Sequence, residues 1–283
     1  FRNVICVADS GATKTEWVFI HDNGSMTKSS TIGLNPYIVE SSVISDTLRL
    51  AVADVDSSDL KELHFYGAGC STDAKVEKVF KALERELKNC QIHVHHDLLA
   101  AARALCQNEE GIVGILGTGS SSCHYDGERI LKSMPPLGWI IGDEGAGSFI
   151  GKELIRARYY NEMADPLAKA FDAFLEIDLT EFLDKIYNQP LPNKFLASLT
   201  RFCSEHLEDD LIKSILQSSL AEFVDRILVK YDRPDLQIHF TGSIASVYNG
   251  TLKEILKEKG LLPGRILKSP MAGLLKYHGI HEV

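Results

Sequence analysis

No stretch of this 283-residue chain is apolar for long enough to cross a bilayer. Its longest apolar runs, such as Gly111–Leu116, fall far short of the roughly 20 residues a spanning helix needs. Basic runs are missing too: Asp and Glu outnumber Lys and Arg 39 to 30, for a formal net charge of −9. Without clustered cations the chain has no footprint for a phosphate backbone, which argues against nucleic acid as its partner. Cys-x-x-Cys pairs do not occur, and the six cysteines (Cys6, Cys70, Cys90, Cys106, Cys123, Cys203) are scattered, mostly through apolar stretches. That dispersal removes any local zinc or iron–sulfur motif and points to buried thiols rather than a disulfide framework. No charged-then-apolar leader opens the sequence as given. The expectation is a cytoplasmic protein that engages neither membrane nor nucleic acid. What is present, 45% hydrophobic and 24% charged residues, supplies one or two cores, and the length favours two.

The first half reads as short strands joined by tight turns. Val4–Ala8 is apolar and β-branched, Asp9–Lys14 interrupts it with Gly11, and Thr15–His21 resumes an extended pattern before the Asn23-Gly24 turn. Leu63–Tyr66 is a strand stopped by Gly67-Ala68-Gly69. The apolar stripe Val76, Val79, Phe80, Leu83 and Leu87 predicts a helix over Lys75–Lys88. Ile92–His95 then reads as a strand and Leu98–Cys106 as a helix. The second half repeats the grammar: strand Ile112–Leu116, loop Gly117–Ser122, return strand Cys123–Tyr125, and an Asp126-Gly127 turn before Arg129–Leu131. Ala146 to Tyr231 has largely helical periodicity broken at Pro166, Pro190 and Pro192, followed by a strand over Leu236–Phe240 and helices over Ile244–Lys259 and Pro270–His278. The repetition suggests a duplicated domain. No low-complexity linker separates the halves, and the boundary is placed at the polar stretch Asn108–Gly111.

Three turns of small residues carry chemistry. In the first, Asp9 ends a strand and Gly11, Thr13, Lys14 and Thr15 follow; backbone N–H groups, two hydroxyls and an ammonium suit a polyphosphate, and Asp9 suits its Mg²⁺. A Gly-containing hairpin loop standing alone is usually only a turn. The second, Gly117-Thr118-Gly119-Ser120, follows a buried strand. It fails as a dinucleotide fingerprint because Ser122 takes the third glycine position and a strand, not a helix, comes next. A near-miss to the Walker A pattern around Lys152 is rejected, with Ala146 and Glu153 at required Gly and Ser/Thr positions. The third turn, Gly242-Ser243, lies between a predicted strand and helix, where a planar base could rest on the backbone.

In this order and at these separations the turns resemble the two phosphate motifs and the adenosine motif of the acetate and sugar kinase, Hsp70 and actin superfamily. More closely, the chain is similar to the BadF/BadG/BcrA/BcrD-type ATPases and, within them, to the N-acetylglucosamine kinase branch. The segment Gly138-Trp-Ile-Ile-Gly-Asp143-Glu144-Gly-Ala-Gly-Ser148 carries that likeness most specifically, supported by Gly33-Leu-Asn35-Pro36 and His96-Asp97. The resemblance implies an α/β protein of two ribonuclease-H-like, actin-like ATPase domains closing over an interdomain cleft. Their bounds are 1–108 with a returning helix in 269–283, and 109–268. It implies ATP and Mg²⁺ as cofactors, an amino sugar as acceptor, Asp97 as catalytic base, and Asn35, Gly69, Cys70, Asp143 and Glu144 about the sugar. Phosphorylation at the 6-hydroxyl follows from the resemblance alone, and a homodimer is allowed for. Ala146 and Gly147, where sugar kinases place a Ser, and Cys70, in a loop that usually holds the sugar through polar groups, depart from the pattern.

Competing readings accompany each group. His93, His95 and His96 invite a metal, and strand alternation puts His93 and His95 on one face, yet no further local His or Cys completes a site. Asp97 by pattern alone is an N-cap for the helix beginning at Leu98. Asp143 and Glu144, enclosed by glycines and apolar residues, need donors that sugar hydroxyls would supply. Trp139 fits core packing better than a sugar platform. The alternative functions are an ATPase that activates an iron–sulfur partner, as in the same broad family, and a non-catalytic sugar or nucleotide sensor.

Overall fold

The computed structural model describes residues 3–11 and 13–280; Ala12 of the first turn lies outside them. The chain forms two compact units, Phe1–Gln107 with Pro270–Val283, and Asn108–Ser269. No helix among the described residues is long and apolar enough to cross a membrane.

The first unit is built on strands β1 (Val4–Ser10), β2 (Lys14–His21), β3 (Met26–Ile32), β4 (Leu60–Gly67) and β5 (Gln91–His96), in sheet order β3-β2-β1-β4-β5. The first three are an antiparallel meander, while β4 and β5 add to β1 in parallel. Strand alternation divides the hydrophobic residues between two layers. Cys6, Ala8, Trp17, Phe19, Leu63 and Phe65 face helices α1 (Ser41–Ala51) and α2 (Asp73–Glu86). On the opposite face Val7, Val18 and Tyr66 meet α3 (Asp97–Cys106) and the terminal helix Met271–Tyr277 through Ala100, Ala104, Met271, Leu274 and Leu275. Each fully buried large side chain contributes about 1.5–3 kcal/mol by leaving water. Helix α1 went unread in the sequence although Ile44, Leu48 and Ala51 form its buried stripe, because Glu40 at its N-cap makes no capping bond.

The second unit repeats the order with β6 (Gly111–Leu116), β7 (Ser120–Tyr125), β8 (Ile130–Ser133), β9 (Gln237–Thr241) and β10 (Leu262–Leu267), arranged β10-β9-β6-β7-β8. Between β8 and β9 run α4 (Gly138–Ile141), α5 (Gly147–Tyr159), α6 (Asp165–Leu175), α7 (Leu179–Tyr187), α8 (Pro192–Ser198), α9 (Thr200–Glu205) and α10 (Asp210–Phe223), packed on Ile112, Leu116, Ile238 and Phe240. Two expectations change here. The single helix over Ile244–Lys259 is broken into α11 (Ser243–Val247) and α12 (Asn249–Glu258) at Tyr248, whose buried hydroxyl donates to the Thr200 carbonyl at 2.9 Å. Strand β10, unread because it contains Pro263 and Gly264, lies at the sheet edge, where a residue without an N–H is tolerated.

Candidate functional site

In the first unit, the parallel and antiparallel halves of the sheet diverge at the end of β1, and three loops collect there. Ser10 is their common anchor. Its carbonyl accepts from Ala68 N–H at 2.7 Å, and its hydroxyl accepts from Leu34 N–H at 2.9 Å and pairs with Thr15 Oγ1 at 2.8 Å. The loop after β3 thereby stands beside the loop after β4, and Gly69 and Asn35 meet. Gly69 has φ +79°, and a Cβ there would lie 2.2 Å from Asn35 Oδ1, so only glycine fits. Asn35 Oδ1 also accepts from Tyr37 N–H at 3.0 Å, which fixes the amide. Lys75 Nζ sits 4.1 Å from the Tyr37 ring centroid.

Asp9 precedes Ser10. Burial, with the nearby Asp97 and Glu16 charges, pushes its carboxyl up to about 7 against the pull of Lys14. Asp97 is the first residue of α3, and burial likewise holds its carboxyl above the usual aspartate range against the pull of His96. The N-cap expected at Asp97 is instead His96, whose Nδ1 accepts from Leu98 N–H at 3.2 Å. Asp97 Oδ1 lies 3.2 Å from that same nitrogen, and its side chain keeps 27% of its exposure, enough to meet a ligand. Burial thus disfavours the charged form of both aspartates, and the Asp97 charge adds to the rise at Asp9.

Other expected residues of this unit fall into two groups. Thr13 and Lys14 are exposed at the turn, and Gly11 N–H closes it by donating to the Lys14 carbonyl at 2.9 Å. Thr15, expected to aim its hydroxyl at a phosphate, is fully buried; Oγ1 is spent on Ser10 and on the Ile32 carbonyl at 2.8 Å. Cys70, expected beside the sugar, is buried in the layer under α1 and α2, and burial, with Asp97 nearby, pushes its thiol up to about 12. It is an inert packing residue.

In the second unit the Gly117–Ser120 loop is held from three sides. The start of α5 donates to it, Gly147 N–H to the Gly117 carbonyl at 2.8 Å and Ser148 N–H to the Thr118 carbonyl at 3.1 Å. Gly242 has φ +116°, and a Cβ there would lie 2.2 Å from the Leu116 carbonyl, so the Gly242-Ser243 turn presses backbone to backbone on the loop's entry. Asp143, itself at φ +57°, accepts from Ser120 N–H at 3.1 Å. Burial raises the Asp143 carboxyl, and the Ser120 bond and Lys152 oppose that rise. The carboxylate assigned to sugar hydroxyls therefore first braces the loop; Glu144 beside it is half-buried. Ser120 N–H is consumed by this contact and Gly117 N–H by the Gly119 carbonyl at 3.0 Å. Among the described residues the Thr118 and Gly119 N–H groups keep no protein partner, and they are the donors left for an anion. Trp139 packs on the unit's core, as its neighbours suggested.

Sequence reasoning missed Ser10, the capping role of His96 and the bracing role of Lys152. Lys152 lies on α5 and donates from Nζ to the Trp139 carbonyl at 2.7 Å, tying α4 to α5 beside Asp143. Its signal was present as the rejected Walker lysine, but the partner carbonyl 13 residues upstream was not.

Two sheets of the same strand order, each a meander extended in parallel and each with a glycine-containing hairpin turn after its first strand, define a pair of ribonuclease-H-like units of the actin-like ATPase class. The profile of the BadF/BadG/BcrA/BcrD ATPase family matches residues 8–274, and the chain belongs to that family. It is 39% identical to a candidate N-acetylglucosamine kinase from Porphyromonas gingivalis, covering 99% of this chain and 100% of that one with a TM-score of 0.92. A second candidate N-acetylglucosamine kinase, from Chromobacterium violaceum, shares the fold at 16% identity, TM-score 0.72, over 98% of each chain. An N-acetylmuramic acid/N-acetylglucosamine kinase of Clostridium acetobutylicum is 33% identical over 150 residues, which is 47% of this chain and 45% of that relative. The match thus spans less than half the length of that curated relative.

Proposed function

We propose that this chain transfers the γ-phosphoryl group of ATP to the 6-hydroxyl of an amino sugar, with N-acetylglucosamine as acceptor. The observation that carries the reading is the pairing of Asp9 and Asp97, two carboxyls driven up by burial at the end of β1 and the start of α3, next to Asn35 and Gly69. Asp97 has the properties of a general base: it is partly exposed, and burial raises its proton affinity above that of an ordinary aspartate, which favours acceptance of a proton. The acceptor oxygen attacks γ-phosphorus as its proton passes to an Asp97 oxygen. The bond from γ-phosphorus to the bridging oxygen breaks, and ADP leaves with that electron pair. Asn35, clamped by Tyr37 N–H and Gly69, orients the sugar.

In the first unit Thr13 and Lys14 engage the phosphates. In the second, Thr118 and Gly119 N–H take a phosphate oxygen and the Gly242-Ser243 turn supports the base. The residues fit a divalent cation, because Asp9 carries a carboxyl whose ionisation is opposed by burial and by Asp97, and a cation would relieve both. Mg²⁺ held by Asp9 through water would supply charge neutralisation to the polyphosphate. The names of the Porphyromonas and Clostridium relatives support the choice of sugar. An activator of an iron–sulfur partner is disfavoured by five buried cysteines out of six.

The test is ADP release with Mg²⁺ and ATP across glucosamine, N-acetylglucosamine, N-acetylmannosamine, N-acetylmuramic acid and glucose. Turnover should be highest with N-acetylglucosamine. No sugar-dependent ADP from any of the five would overturn the reading.

A further inference from the structure

The β4–β5 edge of the first unit carries a histidine cluster that the phosphoryl-transfer reading leaves unused. In the parallel register His64 stands opposite His93, and Tyr66 opposite His95. Glu62, two residues before His64, shares its face. Glu62 Oε1 lies 3.0 Å from His64 Nε2 and 3.3 Å from His93 Nε2, and all three ligand atoms fall within 4.8 Å of one another. Among the described residues this is the only such grouping of three His, Cys, Asp or Glu side chains. Of the histidines weighed in the sequence as metal ligands, only His93 belongs to this grouping. His96 caps α3, and the His95 ring lies 5.2 Å from that of Tyr66.

A carboxylate is an acceptor only, and a neutral imidazole nitrogen without its proton is one too. Such atoms, with the carboxylate oxygen 3.0 and 3.3 Å from the two imidazole nitrogens, repel unless a proton or a cation lies among them. With Zn–N bonds near 2.0–2.1 Å and tetrahedral angles, donor atoms stand about 3.4 Å from one another, close to the two separations observed. The neighbours already behave as supports. Arg103 donates to Tyr66 Oη at 2.9 Å, Tyr66 Oη pairs with His278 Nε2 at 2.9 Å, and the His278 ring lies 4.0 Å from that of His64, tilted by 34°. His278 is therefore a wall of the site rather than a ligand. His93 on the edge strand β5 and Glu62 on the adjoining β4 each keep 33% of their side-chain exposure, which leaves an approach for the ion and room for water.

The geometry points to a binding site for a transition-metal dication of the zinc class, held by Glu62, His64 and His93 with water completing its coordination. Two imidazoles and one carboxylate select this class over Mg²⁺ or Ca²⁺, which prefer oxygen alone. The ion ties β4 to β5. Because β4 leads into the Gly67–Cys70 loop and β5 into Asp97, it stiffens both segments from behind. The inference stands on these residues and does not depend on the kinase reading.

The experiment uses tag-free full chain, stripped with a chelator, in excess Mg²⁺ so that sites preferring oxygen are filled. Zn²⁺ is titrated calorimetrically, and Co²⁺ serves as an optical probe. Wild type should bind one equivalent of Zn²⁺, give the intense visible bands of four-coordinate Co²⁺, and melt higher with Zn²⁺. His93→Gln and Glu62→Gln should each weaken Zn²⁺ by at least about tenfold, the least expected when even an outer partner of a ligand is lost. Zinc-free, Mg²⁺-dependent ADP release should stay at wild-type level in both. Unchanged Zn²⁺ affinity in the two variants would overturn the site, as would a wild type that binds no Zn²⁺ or gives only the weak spectrum of six-coordinate Co²⁺. The Co²⁺ spectrum is read on wild type, so the test survives a variant that fails to fold.

Discussion

Removing the charge of Asp9 should make the ligand-free protein more stable while abolishing turnover. Burial and Asp97 lift the Asp9 carboxyl from the ordinary 3.8 to about 7. Between those values the folded state binds more protons than the unfolded chain, so the stability contributed by this residue is present in full below pH 4 and is lost as pH rises through about 7. Three units correspond to roughly 4 kcal/mol. Solvent relaxation around a carboxyl that is not fully enclosed reduces this to about 2 kcal/mol above pH 7. Asn has the same shape and never ionises. At pH 8 Asp9→Asn should therefore raise the melting temperature on the order of 4–8 °C, and at pH 4 the two proteins should melt together. Scanning calorimetry at both values, without nucleotide, measures the difference directly. A variant that melts at or below wild type at pH 8 would refute the view that Asp9 is kept for a ligand at the expense of the fold.

Asp97→Asn should depress kcat on the order of 10²-fold or more while sugar affinity largely survives, since the amide still meets a hydroxyl; wild-type kcat in a stable variant would remove Asp97 from the base role. Its helix should persist in circular dichroism, because the capping bond belongs to His96. Gly69→Ala should raise KM for the sugar with little change in KM for ATP, as the new methyl displaces the Asn35 amide; equal KM values for wild type and variant would detach Asn35 from the acceptor. Thr15→Val should lower stability by about 1–3 kcal/mol in denaturant titrations, from the two lost hydroxyl bonds to Ser10 and the Ile32 carbonyl, without altering KM for ATP. An altered KM for ATP at unchanged stability would return Thr15 to the phosphates.

The two-sheet architecture was legible because its signals are local. The apolar β-branched run Val4–Ala8, the extended pattern of Thr15–His21, the Asn23-Gly24 turn, and the stripe from Val76 to Leu87 are each read from a few neighbouring residues. What stayed hidden depends on contacts far along the chain. Thr15 looked like a phosphate ligand because its partner carbonyl, Ile32, is 17 residues away. Asp143 looked like a sugar ligand because Ser120 is 23 residues away. Asp97 and His96 are both competent caps at a strand-to-helix junction, and only the enclosure of the aspartate decides between them. The metal-type cluster joins Glu62 and His64 to His93 across a strand pairing, so a search for neighbouring ligands along the sequence looked in the wrong direction.

Ser10 bears on how such a protein could be given a new acceptor. One residue holds the turn after β1 through Thr15, the Asn35 loop through Leu34 N–H, and the Gly67–Cys70 loop through Ala68 N–H. These segments are therefore not interchangeable cassettes. A transplanted acceptor loop must bring a backbone N–H to the hydroxyl of Ser10, or the graft leaves a buried oxygen unmatched and loosens the turn that carries Asp9 as well. Diversification of specificity is thereby channelled toward side chains projecting from a preserved backbone, at Asn35 and its immediate neighbours, rather than toward insertions or deletions that would shift Leu34.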